Sequence, residues 1–346
     1  MRIQRLFATL AISACFAMPA GAAPWSADPS WRVEQHEITV PADGIELSGT
    51  LHAPKGASNV PVVVALHGSS AGGQDDPLYA HLHELLPALG IAVFTFDRRG
   101  TGDANAERPH FSVLADDAIA AKRAVAVSDL VDADRVGFWG LSQGGWIAMK
   151  AAAGSTPAFV VIASTPLVST PEQMIFVSRN AILLDGHGEA AADLSEATRR
   201  TIDDFIRGER TRAEAVAAIE AVREKPWYPL TFLGVDDPEA QIRDDYSDSS
   251  WAAKLDVDYE AILAQIDAPT LLLLGTMDTV VPVQHTLDRL AVMPNSGTRD
   301  VVVIPDADHV LRIVDEPSVG GDPEEAIPDS AVYFAVLGHW LGQTIH

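Results

Sequence analysis

The stretch "VGFWGLSQGGWIAMK", residues 136–150, decides how the rest of the chain is interpreted. Its first four residues are apolar, as in a buried strand, and the alanine-rich segment 144–153 follows a helical pattern. Between them, Ser142 stands among small residues in the pattern G-x-S-x-G. A serine at a sharp strand-to-helix turn is presented to solvent and needs small neighbours for the chain to pass. The context, more than the five-residue match, therefore predicts that Ser142 is a nucleophile.

Short apolar runs on both sides of this turn predict a parallel sheet. Continuous apolar strands are buried on both faces, and the helical stretches between them indicate strand–helix–strand crossovers. Two earlier segments, 33–40 and 45–52, alternate apolar and polar residues as half-buried antiparallel strands do. The predicted strands of the parallel part are 62–66, 91–96, 136–139, 159–163, 270–274 and 301–304.

A long segment between the fourth and fifth of these parallel strands divides the chain. Residues 168–266 have helical periodicity and no strong strand, so we interpret them as a helical insertion over the sheet. The predicted core then consists of 23–167 and 267–346. The expected fold is α/β: a mostly parallel, doubly wound sheet with antiparallel N-terminal strands and a helical cap insertion.

The first 22 residues are typical of a secretory signal peptide. Arg2 and Arg5 precede an apolar run, and small residues lead to a preferred cleavage site after Ala22. The stretch ending at Cys15 also resembles a bacterial lipobox, so a lipid anchor on Cys15 is the alternative. Both forms predict a secreted or periplasmic protein. No other segment has 18 consecutive apolar residues, so we expect no membrane span.

Composition and spacing limit the classes of partner. The formal net charge of −24 over 346 residues argues against nucleic-acid binding, because such a chain repels phosphate backbones. No His, Asp or Glu cluster has the spacing of a zinc or EF-hand site, and the glycine-rich stretches lack nucleotide-binding fingerprints. We therefore expect no metal and no cofactor.

A serine nucleophile needs a base and an acid that holds the base. After a nucleophile turn of this kind, the acid and then the histidine follow later strands of the sheet. Asp278 follows strand 270–274 in "GTMDTVVP", and His309 follows strand 301–304 in "PDADHV". Asp306 and Asp308 also flank His309 and stay open as alternative acids, although carboxylates so close in sequence are more often loop caps.

These ordered motifs resemble those of the α/β-hydrolase superfamily, in particular its capped esterase, acyl-peptidase and aminopeptidase branch. The resemblance implies Ser142 as nucleophile, His309 as general base and Asp278 as the acid that orients it. It also implies an oxyanion hole built from the backbone N–H groups of Ser69 and Gln143. The matching stretches are "ALHGSSAGG" (65–73), "FDRRGTGDA" (96–104), "GLSQGG" (140–145), "GTMDTVVP" (275–282) and "DADH" (306–309).

Several polar residues near these motifs have a structural interpretation. We expect Asp97, Arg98 and Arg99 to fix the turn after their strand through hydrogen bonds. We expect His67 to pack or bond locally, and His285 to lie on a helix surface.

The predicted function is a secreted hydrolase that cleaves a small-molecule ester through an acyl-enzyme intermediate. A peptide or amide substrate, acyl transfer, and a binding protein without turnover stay open. Nine acidic residues between 236 and 260 form either a solvated face or a receptor for a cationic group, as a carboxylate is for the free amine in such aminopeptidases. Trp227, Tyr228, Phe232 and Trp251 form either an acyl pocket or ordinary core.

Overall fold

A computed structural model describes residues 32–69, 73–101, 109–244, 251–294, 299–318 and 330–345. The predicted signal peptide and Cys15 lie outside the described residues.

The described strands form one eight-stranded sheet in the order β1-β2-β4-β3-β5-β6-β7-β8. β1 pairs with β2 and β2 with β4 in antiparallel fashion, whereas every other neighbouring pair is parallel. This topology confirms the predicted mostly parallel sheet with an antiparallel start. The strands are β1 (Val33–Ala42), β2 (Ile45–Pro54), β3 (Val60–Leu66), β4 (Ala92–Phe96), β5 (Val131–Leu141), β6 (Val160–Ala163), β7 (Thr270–Gly275) and β8 (Arg299–Ile304).

The apolar runs form central strands because both faces of the sheet are covered. In β3, Val62 and Val64 pack into one apolar cluster, while Val63 and Ala65 pack into the cluster on the opposite face. Side chains alternate in this way because successive residues of a strand point to opposite faces. β5 is longer than the predicted 136–139, since it pairs with β3 at both ends and runs on to the residue before Ser142.

Helices cover the two faces of the sheet. α2 and α3 contribute to the apolar cluster on one face, and α1 and α10 contribute to the cluster on the other. The helices are α1 (Ala80–Ala88), α2 (Phe111–Val125), α3 (Gln143–Ala153), α4 (Thr170–Leu184), α5 (Glu189–Ile206), α6 (Arg212–Glu220), α7 (Pro238–Gln241), α8 (Tyr259–Leu263), α9 (Val283–Val292) and α10 (Ala331–Ile345).

The segment between β6 and β7 is helical, as predicted, and builds an apolar cluster of its own. Ile182 of α4, Ile202 of α5 and Ile219 of α6 belong to this cluster. Near the end of the segment the packing changes, because the ring of Tyr259 stacks on Trp146 with centroids 4.6 Å apart. The boundaries at 168 and 266, and a role of the segment as a cap, stay predictions.

The aromatic residues of this segment mostly belong to its interior. Trp227 and Tyr228 are buried in the insertion's apolar cluster. The Tyr228 hydroxyl donates to the Val235 carbonyl at 2.7 Å, and the Trp251 indole N–H donates to the Asp203 carboxylate at 3.0 Å. Trp227 and Tyr228 therefore belong to the core, Trp251 packs against it partly buried, and Phe232 is half exposed.

No helix within the described residues is long and apolar enough to cross a membrane. Within the same ranges, no three His, Cys, Asp or Glu side chains are grouped as ligands of a metal ion.

Candidate active site

Ser142 occupies a strained turn between β5 and α3. Its backbone has φ 57° and ψ −122°, and a positive φ in a residue other than glycine costs about 1–3 kcal/mol. The turn is held by hydrogen bonds. The Ser142 N–H donates to the Ala163 carbonyl at 2.9 Å, and the Ser142 carbonyl accepts from the Gly145 N–H and from the Thr165 hydroxyl. The end of β6 therefore fixes the backbone that presents Ser142.

Three glycines let the chain pass through this turn. A Cβ at Gly144 would lie 2.5 Å from the Leu66 carbonyl oxygen, closer than real Cβ atoms approach. A Cβ at Gly140 would overlap the backbone of Gly144, and one at Gly145 would overlap the Thr165 side chain. The motif accounts for the first two glycines. The constraint on Gly145 comes from Thr165, two residues after β6, and the G-x-S-x-G pattern alone does not contain it.

The structure brings Asp278 and His309 into contact. Asp278 follows β7 and His309 follows β8, and the His309 Nδ1 atom lies 3.0 Å from the Asp278 Oδ2 atom. The second carboxylate oxygen of Asp278 accepts the N–H groups of Val280 and Val281, both at 2.8 Å. The carboxylate is fully buried, and both of its oxygens have partners. Such an arrangement fixes the orientation of the imidazole.

The two alternative acids have other partners. One oxygen of Asp308 accepts the N–H groups of Val310 and Arg312, and the other accepts from the Arg312 guanidinium at 3.2 Å. Asp306 is exposed, and its backbone N–H donates to the Thr276 hydroxyl. Both residues therefore shape the histidine loop, and Asp278 is the carboxylate that contacts the imidazole.

The surroundings of His309 set its proton affinity. Burial favours the neutral ring, but the Asp278 carboxylate, through its charge and its hydrogen bond, and the charge of Asp308 favour the protonated ring. Together they raise the pKa of His309 above its ordinary value. The imidazole is thus a stronger base than a free histidine.

A close backbone approach joins the two loops that carry this pair. A Cβ at Gly275 would overlap the Ala307 carbonyl, so only glycine allows the two loops to touch there. The Thr276 N–H donates to the Ile304 carbonyl at 3.0 Å, and the Met277 N–H donates to the Ala307 carbonyl at 2.9 Å. The distance between Asp278 and His309 therefore depends on backbone hydrogen bonds.

Ser142, Asp278 and His309 share one edge of the sheet. They follow β5, β7 and β8, which are parallel within the order β5-β6-β7-β8, so the carboxyl ends of all three strands lie at the same edge. Ligand sites in open α/β sheets lie outside the carboxyl ends of the strands. This edge is accordingly the candidate site.

The loop after β3, with the predicted oxyanion donor Ser69, lies beside the nucleophile turn. A Cβ on Gly68 would lie 3.8 Å from the carbonyl oxygen of Leu141, the residue before Ser142. Ser69 itself is exposed. Gln143, the other predicted donor, is the first residue of α3, and the N–H groups of a first helical turn have no acceptor within their helix.

The buried ring of His67 packs edge-on against Tyr79 and Phe96, with centroid separations of 5.9 and 5.2 Å. Burial, together with the charge of Arg98, lowers the pKa of His67 to about 4, so the ring is neutral near pH 7. His285 lies exposed on α9.

Three side chains of the turn after β4 contact neighbouring elements. The Arg98 guanidinium donates to the Gly68 carbonyl at 2.8 Å and to the Gln143 side-chain oxygen at 2.9 Å. Arg99 forms an ion pair with Asp117 of α2. Asp97 accepts the backbone N–H of Gln74 at 3.1 Å. Sequence reasoning assigned these three side chains to their own turn, whereas here they bind other elements.

Much of the acidic segment 236–260 is engaged structurally. Glu239 pairs with Arg212, Asp256 with Arg207, and Glu260 with Arg289. The carboxylates of Asp237 and Asp258 accept backbone N–H groups at the starts of α7 and α8. Asp245 and Asp248 lie outside the described residues. These five contacts favour the solvated face over a receptor for a cation.

Comparisons with known proteins agree with this architecture. A family model described as "Alpha/beta hydrolase family" matches residues 63–319, which include Ser142, Asp278 and His309. An uncharacterised protein of Mycobacterium tuberculosis is 33% identical over 130 residues, which are 38% of this chain and 44% of that protein. The chain thus matches less than half the length of this curated relative.

Solved structures share the fold at low identity. Proline iminopeptidase of Mycobacterium smegmatis superposes with a TM-score of 0.53 at 20% identity, covering 89% of this chain and 98% of that one. Acetyl xylan esterase of Paenibacillus sp. R4 superposes with a TM-score of 0.53 at 17% identity, covering 92% of this chain and 86% of that one.

The glycine at position 144 provides a test of the turn. We expect Gly144→Ala to lower the free energy of unfolding by about 1–3 kcal/mol, because the new Cβ meets a backbone carbonyl that cannot rotate away. Urea unfolding followed by circular dichroism measures this change.

Gly342→Ala is the matched control. Gly342 lies within α10 with open space around its Cα, so alanine there stabilises the helix by about 0.5–1 kcal/mol. Equal unfolding midpoints for Gly144→Ala and the unmodified protein would contradict the close approach of α3 to β3.

Proposed function

We infer that this chain, which belongs to the alpha/beta hydrolase family, is a serine hydrolase that cleaves small carboxylic esters. The observation that carries this proposal is the Asp278–His309 contact at 3.0 Å, on the sheet edge where a strained turn presents Ser142. A serine, an oriented imidazole and a buried carboxylate in this chain order are the groups that acyl transfer requires.

The proposed reaction has two steps. The Ser142 Oγ atom attacks the ester carbonyl carbon while His309 accepts the hydroxyl proton, and the negative oxygen of the tetrahedral intermediate is stabilised by the N–H groups of Ser69 and Gln143. Collapse breaks the bond to the alcohol, which leaves with the proton from His309. Water, deprotonated by His309, then attacks the acyl-enzyme and releases the carboxylic acid and free Ser142. Asp278 stays ionised and stabilises the imidazolium.

An ester is favoured over a peptide with a free amino terminus because of the acidic segment. A carboxylate that already pairs with an arginine or caps a helix is less available to an ammonium group, and five of the nine acidic residues are engaged in this way. Glu239, Asp256 and Glu260 are each paired with an arginine, and Asp237 and Asp258 cap helices. The named esterase and iminopeptidase neighbours share the fold, and the paired carboxylates support the esterase activity.

We also propose that the protein is exported and that residues 1–22 are removed. The expected mature protein begins at Ala23 when the full chain is expressed in a bacterial host and recovered from the periplasm or medium. Intact-mass measurement of the recovered protein tests this expectation. A mature protein that begins at a lipid-modified Cys15 would contradict cleavage after Ala22 and would indicate a lipid anchor instead. An unprocessed cytoplasmic chain would contradict export altogether.

The nucleophile is tested by covalent labelling and turnover. We expect a fluorophosphonate to form one adduct, on Ser142, and p-nitrophenyl acetate to be hydrolysed faster than alanyl p-nitroanilide. Ser142→Ala should abolish both labelling and ester hydrolysis while leaving the melting temperature nearly unchanged, because its backbone hydrogen bonds stay in place.

Ser155→Ala is the control, since the Ser155 hydroxyl donates to the Ala151 carbonyl at the end of the α3 region and has no predicted role in the reaction. Full turnover in Ser142→Ala would place the nucleophile elsewhere. Faster hydrolysis of the anilide than of the ester would indicate that the protein is a peptidase and not an esterase.

The acid is tested by the pH profile of kcat/KM for the same ester. The base must be neutral to accept a proton, so the raised pKa of His309 places the acidic limb above the ordinary histidine value of about 6.5, and activity rises as pH rises through it. Asp278→Asn removes the charge that raises this pKa, so the limb of the residual activity moves to lower pH. Turnover itself falls by up to about 10⁴-fold, as in a serine protease triad.

Asp308→Asn is the matched variant. It keeps an oxygen for the N–H groups of Val310 and Arg312 and leaves the Asp278 contact intact, so its loss of turnover should be far smaller. If Asp308→Asn instead produced the larger loss, the assignment of the acid would be wrong.

A further inference from the structure

We propose that Arg98 is a positioning residue for the oxyanion hole, because its guanidinium joins the two peptide segments that carry the N–H donors. The inference rests on the proposed function, since it concerns the same site. It adds a residue that acts on the predicted donors through Gly68 and Gln143.

The first contact fixes the direction of the Ser69 N–H. One guanidinium nitrogen of Arg98 lies 2.8 Å from the Gly68 carbonyl oxygen. This carbonyl belongs to the same planar trans peptide as the Ser69 N–H, and in such a peptide the C=O and N–H bonds point in opposite directions. Holding the oxygen on the Arg98 side therefore aims the Ser69 hydrogen away from Arg98. A flip of this peptide would remove the donor from the hole.

The second contact holds the residue after the nucleophile. The other terminal nitrogen of Arg98 lies 2.9 Å from the Gln143 Oε1 atom. Gln143 is the first residue of α3 and carries the second predicted donor on its backbone. One rigid, planar fork thus joins the loop after β3 to the start of α3. A lysine, whose single ammonium lacks the fork, cannot make both contacts with the same geometry.

Asp97 holds the other end of the same loop. Its Oδ1 atom accepts the Gln74 N–H at 3.1 Å, and a Cβ on Gly73 would lie 2.8 Å from that oxygen. The turn after β4 therefore contacts the loop after β3 on both sides of residues 70–72. Gly68 is buried and Ser69 is exposed, so the peptide between them lies at the surface of the site, and its carbonyl oxygen is the group that Arg98 holds.

The positive charge of Arg98 favours the same oxyanion hole that its hydrogen bonds position. Its effect extends to the buried ring of His67, whose pKa is lowered to about 4 by burial and then by the Arg98 charge. A positive charge at this place also stabilises a negative oxygen that develops beside Ser69 and Gln143. Arg98→Lys keeps the charge and loses the fork, so it separates the two contributions.

The experiment uses p-nitrophenyl acetate and an alkyl trifluoromethyl ketone, which forms a tetrahedral adduct with a serine. Removing one oxyanion-hole donor costs about 10²–10³ in kcat, and a donor that is misaligned should cost part of that. We expect Arg98→Met to lower kcat about 10- to 100-fold with little change in KM, and to raise the inhibition constant of the ketone by a similar factor. Arg98→Lys should lie between.

Arg99→Met is the matched control on the same turn. Arg99 pairs with Asp117, so this variant should lower the melting temperature and leave kcat and the ketone inhibition constant unchanged. Gln143→Met removes the Oε1 acceptor and keeps the backbone N–H. Combined with Arg98→Met, it should cost less than the sum of the two single losses, because both interrupt the same contact.

Two results would overturn the inference while leaving the proposed function in place, provided that the parent protein is active. In the first, Arg98→Met has an unchanged kcat. In the second, Arg98→Met has a lower kcat but binds the ketone as tightly as the parent protein does. If Arg98→Met does not fold, Arg98→Lys and Gln143→Met decide, and unchanged ketone binding in both overturns it. A parent protein that neither hydrolyses the ester nor reacts with a fluorophosphonate overturns the proposed function and this inference together.

Discussion

Close backbone packing at the carboxyl edge of the sheet is the constraint on which the rest of the site depends. The start of α3 lies so near the end of β3 that a Cβ on Gly144 would reach the Leu66 carbonyl. This contact places the first turn of α3, with the positive end of its helix dipole, beside the loop that follows β3. The nucleophile turn and the predicted oxyanion donors are therefore held together by main chain. A side chain inserted there disturbs the fold and the site at once.

A buried carboxylate is stable only when its oxygens have partners, and this requirement distinguishes the acids around His309. Asp278 uses one oxygen to bind the backbone N–H groups of Val280 and Val281 and the other to bind the imidazole. One oxygen thus fixes the loop and the other holds the imidazole. Asp308 uses both oxygens within its own loop and on Arg312. The chemical type of the two residues is the same, and the loop geometry decides their roles.

The sheet could be predicted because its signal is local. Apolar runs bounded by turns specify strands that are buried on both faces, and the chain order of Ser142, Asp278 and His309 follows from the order of those strands. The contacts of Arg98 could not be predicted, since they join residues 30 and 45 positions apart in the chain. The requirement for glycine at position 275 could not be predicted either, because it arises from the backbone of the histidine loop, which lies elsewhere in the chain.

The sequence "DRRG" (97–100) did indicate that arginine contacts exist here. Two adjacent arginines after a buried strand need hydrogen-bond or charge partners where they are withdrawn from solvent. Which arginine turns toward the site depends on where α2 presents Asp117, which binds Arg99 and leaves Arg98 on the side of the nucleophile turn. Helical periodicity likewise predicted the insertion between β6 and β7, but periodicity does not reveal which surface of a helix meets the sheet.

Two side chains of α4 in the insertion hold the short loop that follows Asp278. Gln173 and Asn180 of α4 donate their side-chain N–H groups to the carbonyls of Val280 and Thr279, at 3.1 and 2.8 Å. Val280 also donates its own N–H to Asp278, so this residue is bonded to α4 on one side and to the carboxylate on the other. Both donors on α4 are neutral amides, which hold the loop without placing a charge that would compete with His309 for Asp278. The insertion and the Asp278 loop are therefore joined by side-chain amides of α4 that bind backbone carbonyls, and a displacement of α4 would shift the peptides that bind the Asp278 carboxylate.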